Sequence, residues 1–247
     1  MCDCPKHLLK GWAGWTVPAQ SSARYAPDGD WVDLSHPLDE KTPRVPFFPP
    51  PEIKRVRSLP QHLINVTQMS MIVHTGTHID APIHLFEDAP PMQDVPLERL
   101  SGTGYILPID TQGGYFIEPS HLESAGDKIQ AGDILLLNTG THKLVHTDAY
   151  EDHPSLSVAA AQWLVERGIK LLGVDFPTPD NAVQRRDDSF DYPVHRQLLG
   201  NGVLIAEHVT NLDALSGQRV EVMCAALNIT HSDGAPVRLL ARPIAEH

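Results

Sequence analysis

Two periodicities divide the chain. In its first part apolar and polar residues alternate, in WVDLSHPL (31–38), IKRVRSL (53–59) and INVTQMSMIV (64–73), which predicts strands. Between them TPRVPFFPPP (42–51) cannot be helical, because proline lacks the amide donor and clashes with the preceding turn. GYILPID (104–110) reads as another short strand. From residue 118 the pattern changes. EPSHLESAG (118–126) predicts a short helix with Pro119 in its first turn and Gly126 at its end. SVAAAQWLVERG (157–168) is the clearest helix: Ser157 suits the N-cap, Trp163 and Leu164 belong to its apolar face, and Gly168 closes it. DYPVHRQLLGNG (191–202) predicts a helix stopping at glycine. DILLLNTG (133–140) and IKLLGVD (169–175) are continuous apolar runs, the pattern of strands buried on both faces. VLIAE (203–207), VEVMCAALNI (220–229) and PVRLLAR (236–242) complete the strands. Strands alternating with helices in the second half predict an α/β fold with a partly parallel sheet. No repeat or flexible linker splits the chain, so residues 30–247 are expected to form one domain. Residues 1–29, with Trp12 and Trp15, are expected to be an arm that packs on it.

Composition narrows the function classes. The 247 residues are 41% apolar and 20% charged, which predicts a globular protein. The net charge of −12 without a basic run speaks against binding nucleic acid or an anionic membrane surface. No apolar run reaches the roughly 18 residues of a spanning helix, and MCDCPKHLLKGWAGW lacks the apolar stretch of a secretory signal. Cys2, Cys4 and Cys224 make no disulfide framework, so a reducing cytoplasm is expected. Cys2 and Cys4 alone make a weak metal site.

The 14 histidines matter through their spacing. HTGTHIDAPIHLF (74–86) sets His74, His78, Asp80 and His84 within one short segment. In extended chain these even positions face one way, but at about 3.3 Å per residue they would spread over roughly 33 Å. A metal needs its donors at about 2.0–2.2 Å, so the segment must fold back. Gly76 and Pro82 supply a permissive backbone and a fixed turn angle. Imidazole with carboxylate suits Zn²⁺ or Mn²⁺. His74, His78 and Asp80 would leave positions for water, whose pKa a bound cation lowers, and His84 just beyond would move protons. His195 and Glu207, separated by a helix, a turn and a strand, can reach one end of the sheet. Taken alone His195 is more often a surface or capping residue. Asp175 could orient a ligand or cap a turn. His142, His146 and His153 read as solvated loop residues that could line a pocket, and His121 and His231 receive no role. Phe47 and Phe48 could form a pocket wall or belong to the core.

The segment 74–84 matches every fixed position of His-x-Gly-Thr-His-x-Asp-x-Pro-x-His. It resembles the motif of the metal-dependent cyclase family, which includes bacterial kynurenine formamidases and isatin hydrolases. VDLSHPLDEKTP, GDILLLNTG, RGIKLLGVD, HRQLLGNGVLIAEHVTNL and DGAPVR extend the resemblance over roughly residues 31–242. It implies a swivelling β/β/α fold, a mixed sheet with flanking helices, and a homodimer or homotetramer in which loops help close a neighbour's pocket. It implies hydrolysis of a non-peptide C–N bond in a small substrate. By carry-over, His74, His78 and Asp80 would hold one divalent ion, Asp80, His195 and Glu207 a second, and His84 would be the general acid/base. FFPP and the sequence after GVD depart from the formamidases. The substrate therefore stays open among an aromatic or cyclic amide, N-formylkynurenine, and a lactone or ester. A metal-clamped binding protein is the non-enzymatic alternative.

Overall fold

A computed structural model describes residues 30–111, 113–123 and 125–244. The expected arm, with Trp12, Trp15, Cys2 and Cys4, lies outside the described residues. Twelve strands run β1 (Val32–Asp33), β2 (Glu52–Arg57), β3 (Val66–Ser70), β4 (His78–Asp80), β5 (Ser101–Pro108), β6 (Phe116–Ile117), β7 (Ile134–Asn138), β8 (Ser155–Leu156), β9 (Leu171–Val174), β10 (Leu204–Glu207), β11 (Arg219–Ala226) and β12 (Gly234–Pro243) among the described residues. The helices are α1 (Leu97–Leu100), α2 (Pro119–Glu123), α3 (Asp148–Glu151), α4 (Val158–Arg167) and α5 (Pro193–Leu199).

One sheet has the order β1-β12-β11-β5-β7-β9-β10-β4, and β4 pairs with β12 as well as β10, which closes it into a barrel. Strands β5, β7, β9 and β10 are parallel to their neighbours in that group, and the remaining pairings of the sheet are antiparallel. Hairpin β2–β3 and the short pair β6–β8 stand outside it.

The apolar runs are explained by burial on both sides. Ile134 and Leu136 of β7 point into the barrel with Leu171, Leu204, Val222 and Leu239. Leu135 and Leu137 point out, under Ala160, Ala161 and Leu164 of α4 and Val194 and Leu198 of α5. Strands covered on both faces cannot show alternation, hence the unbroken ILLL. Helix α4 begins and ends as its sequence predicts. Ser157 Oγ accepts from the Ala160 amide at 3.1 Å, and Gly168 caps the far end with φ +74°.

The first expected strand is shorter than its pattern. Regular pairing covers only Val32–Asp33, because the Ser35 hydroxyl replaces the ladder, bonding the Leu239 carbonyl at 3.3 Å and amide at 2.8 Å. Pro37 then offers no amide to continue. The helix expected over 191–202 is regular only over Pro193–Leu199. No described helix is long and apolar enough to cross a membrane.

Candidate metal centre

Strand alternation builds the centre. Ile79 points into the barrel core, so His78 and Asp80 share the opposite face. Glu207 stands directly across from His78 in the β10 register, and Gly234 across from Asp80 in β12. The fold-back expected of this segment is present at both ends. Gly76 has φ +64°, and a Cβ there would lie 2.6 Å from Thr42 Cγ2. After Asp80, Pro82–His84 form a single 3-10 turn that brings His84 back beside His74, with ring centroids 4.2 Å apart.

Each inward side chain is anchored behind. His78 donates from Nδ1 to the Gly76 carbonyl at 2.8 Å, which turns Nε2 toward the carboxylates. His195, from the first turn of α5, has Nδ1 2.6 Å from Asp180 Oδ2. Asp180 also accepts from the amides of Val194 (2.9 Å) and His195 (3.0 Å), so one carboxylate caps the helix and orients the ring.

The atoms left over converge. His78 Nε2 lies 3.4 Å from Asp80 Oδ1 and 3.4 Å from Glu207 Oε2. His195 Nε2 lies 3.4 Å from Asp80 Oδ2 and 3.3 Å from Glu207 Oε1. All four residues are buried. His78 Nε2, Asp80 Oδ2 and Glu207 Oε1 have no hydrogen-bond partner, a costly arrangement for buried polar groups. Donors about 2.0–2.2 Å from a tetrahedral ion sit about 3.3–3.6 Å apart. The orphaned atoms and their spacing thus fit a divalent cation between them. His74, His78 and Asp80 also have ligand atoms within 4.8 Å of one another, as do Asp80, His84 and His195.

Charge is tightly balanced. Burial opposes a charged His74, but hydrogen bonds to Asp233 and Asp80 outweigh it and raise its pKa to about 9. Burial likewise opposes a charged His78, and the flanking Asp80 and Glu207 carboxylates raise it to about 10. Burial and the charge of Asp80 both oppose ionisation of Glu207. The close approach of the His195 and His78 rings prevails and lowers it to about 2. Two neighbouring histidines behave oppositely: burial lowers His153 to about 4, and burial with nearby His78 lowers His208 to about 3.

The cluster opens on a cavity of about 140 Å³, lined by Phe47, Phe48, His84, His153, Arg186 and Tyr192 together with His74, Asp80, His195 and Glu207. A void of about 150 Å³ is known to hold benzene, so the space suits one aromatic ring. A larger groove of about 570 Å³ is lined by Ser35, His36, Ala225 and Arg238, but among the described residues no cluster of ligating side chains opens on it.

Residues 32–181 match the family described as "Putative cyclase". The chain belongs to that family. It is 32% identical over 222 residues to a kynurenine formamidase of Bacillus cereus, covering 87% of this chain and 98% of the relative. Among solved structures, a potential metal-dependent hydrolase with cyclase activity superposes with a TM-score of 0.72 at 25% identity, covering 88% of this chain and 99% of the other. Isatin hydrolase A from Ralstonia solanacearum superposes with a TM-score of 0.77 at 24% identity, covering 86% and 91%, and shares the fold.

Within this cyclase-family chain the structure brings His74, His78, Asp80, His84, His195 and Glu207 together and sets Phe47 and Phe48 on the cavity wall. Three further residues escape a reading of local pattern. Asp233 has Oδ2 2.7 Å from His74 Nε2 and 3.3 Å from His84 Nδ1. Asp180 anchors His195. Gly234 leaves room for His74, since a Cβ there would lie 2.9 Å from the His74 ring. Their signals, DFPTPD and SDGAPVR, are present in the sequence but lie far from the histidine motif. His153 differs from the solvated residue expected. It is buried, stacked on Phe176 with ring centroids 5.5 Å apart. His142 is buried too, its Nδ1 2.9 Å from Asp175 Oδ2, and Asp175 also binds the Thr139 amide and hydroxyl. Asp175 therefore closes a loop rather than facing the cavity.

Proposed function

We propose that this protein is a metal-dependent amidohydrolase that cleaves a non-peptide C–N bond of a small aromatic substrate. One observation carries the reading: buried, unpartnered donor atoms of His78, Asp80 and Glu207 converge beside a ring-sized cavity whose wall includes His84. The formamidase relative and the metal-dependent hydrolase neighbour support it. Under this proposal His74, His78 and Asp80 hold one divalent ion, and Asp80, His195 and Glu207 hold a second. Mn²⁺ and Zn²⁺ both suit this donor set. When bound, the ion supplies Lewis-acid polarisation of the substrate carbonyl and brings the pKa of water toward neutrality.

The side chains divide the remaining work. His84 Nδ1 is turned to Asp233, which leaves Nε2 for the cavity. There it takes a proton from the attacking water and delivers it to the departing nitrogen. Phe48 and the more exposed Phe47, packed edge to face with centroids 5.1 Å apart, offer the ring of the substrate an aromatic wall. A closed metal clamp without chemistry would have no reason for a cavity on the donor cluster.

Pairing of copies into a homodimer or homotetramer belongs to the same proposal. It is supported by the exposed Ile53, Val56, Leu63, Ile64 and Met69 on and beside the β2–β3 hairpin, and light scattering checks it. The cytoplasm is the proposed location, on the reading of the cysteines. Turnover of N-formylkynurenine, isatin, formanilide and an aromatic lactone by the metal-loaded protein tests the reaction. Cleavage of at least one amide supports the proposal. Hydrolysis of the lactone alone replaces it with an esterase, and no turnover removes the catalytic reading.

A further inference from the structure

The loop between β9 and α5 carries two adjacent arginines with different fates. Arg185 is committed to the fold. Its Nη2 lies 2.7 Å from Asp152 Oδ1, and its guanidinium lies 4.0 Å from the Tyr115 ring centroid. Arg186 has no such partner: among the described residues no carboxylate lies within ion-pair distance of it. Its Nε donates to the Asn181 carbonyl at 2.8 Å, and Nη1 reaches the Tyr192 hydroxyl at 3.4 Å. Its planar group lies over the rings of Phe190 (4.5 Å) and Tyr192 (5.1 Å). Among the described residues a backbone acceptor and two aromatic faces hold the guanidinium, and none engages Nη2.

Arg186 lines the cavity and is its one arginine or lysine among the described residues. Tyr192, the ring on which Arg186 rests, packs edge to face on His195 with centroids 5.8 Å apart. One aromatic side chain therefore separates the guanidinium from the donor cluster. Tyr192 holds this place with φ +59°, a conformation L residues seldom adopt and the fold must support. Of the other titratable groups on the wall outside the donor cluster, Glu151 lies beyond ion-pair distance of Arg186, and burial lowers the His153 pKa to about 4, which keeps that ring neutral. The charge of Arg186 is felt at His153, as one of the influences that lower it.

A fixed guanidinium with an open edge is matched to a planar carboxylate. We infer that Arg186 binds a carboxylate on the substrate, remote from the scissile C–N bond, so that the preferred substrate is an aromatic amide bearing an anionic group. This rests on the amidohydrolase reading, and the experiment separates the two. Metal-loaded wild-type protein, Arg186→Met and Arg186→Lys are assayed on formanilide and on 2-, 3- and 4-formamidobenzoate. Benzoate binding is measured alongside by calorimetry. Wild type is expected to favour at least one formamidobenzoate over formanilide by about tenfold or more in kcat/KM, the size of a charge-assisted contact. Arg186→Met is expected to erase that ratio, chiefly through KM, and to weaken benzoate binding about tenfold. Arg186→Lys should fall between. A ratio that is absent in wild type, or that survives in Arg186→Met, overturns the inference. A purely structural role would lower both substrates in proportion and leave the ratio standing. If no amide is turned over, the amidohydrolase reading falls, and benzoate binding still decides the role of Arg186.

Discussion

Replacing Asp180 by alanine should damage stability and metal affinity together. Asp180 is buried, and its carboxylate accepts from the Val194 amide, the His195 amide and the His195 ring. Removing it exposes the first turn of α5 to the loss of a cap, worth about 1 kcal/mol. It also strands a buried imidazole N–H, at about 1–3 kcal/mol. The expected destabilisation is therefore about 2–4 kcal/mol, read from urea unfolding of the metal-free protein. The second effect is specific. With Nδ1 unanchored, His195 no longer holds Nε2 toward Asp80 and Glu207, and loss of such an orienting partner weakens metal binding by about 10–100-fold. Competition with a chromophoric chelator measures this. Asp180→Asn, which keeps an acceptor for the helix amides, should recover part of the stability. If Asp180→Ala unfolds more easily yet binds Mn²⁺ or Zn²⁺ as tightly as wild type, the link from Asp180 through His195 to the ion is wrong.

Other outcomes follow from the same geometry. His84→Ala should lower turnover by about 10²–10⁴-fold with metal content intact; undiminished turnover would remove His84 from the reaction. Gly234→Ala would set a Cβ 2.7 Å from the Ile79 carbonyl oxygen and 2.9 Å from the His74 ring, so it should cost about 1–3 kcal/mol and weaken metal binding, checked by thermal melts and chelator competition. His74 and His78 have folded pKa values raised to about 9 and about 10, against about 6.5 when unfolded. Their contribution is complete below about 6.5 and is lost as pH rises through 9 and 10, so the metal-free protein should lose melting temperature across that window. Metal-loaded protein, in which the ion displaces those protons, should lose less; equal losses would contradict the assignment of these rings to the ion.

Much of this architecture is legible because it is local. The cap and stop of α4 are Ser157 and Gly168, ten residues of helix apart, and both act as read. The bends around β4 are written as Gly76 and Pro82 inside the motif itself. What escapes reading depends on register between distant segments. Gly234 faces Asp80, and Asp233 reaches His74, only because β12 pairs with β4 and closes the barrel. No local period encodes that pairing. His153 looked like a loop residue because burial by Phe176 comes from a segment more than twenty positions away. Asp180 sits in a proline-bounded loop, and its role emerges only when α5 starts above it.

Elemental analysis coupled to turnover tests the central claim most directly. Purified protein should carry at least one equivalent of Mn²⁺ or Zn²⁺ per chain. Stripping it with a chelator should abolish amide hydrolysis, and returning the ion should restore it. Full hydrolytic activity in metal-free protein, or no divalent ion bound by the intact chain, would contradict the account.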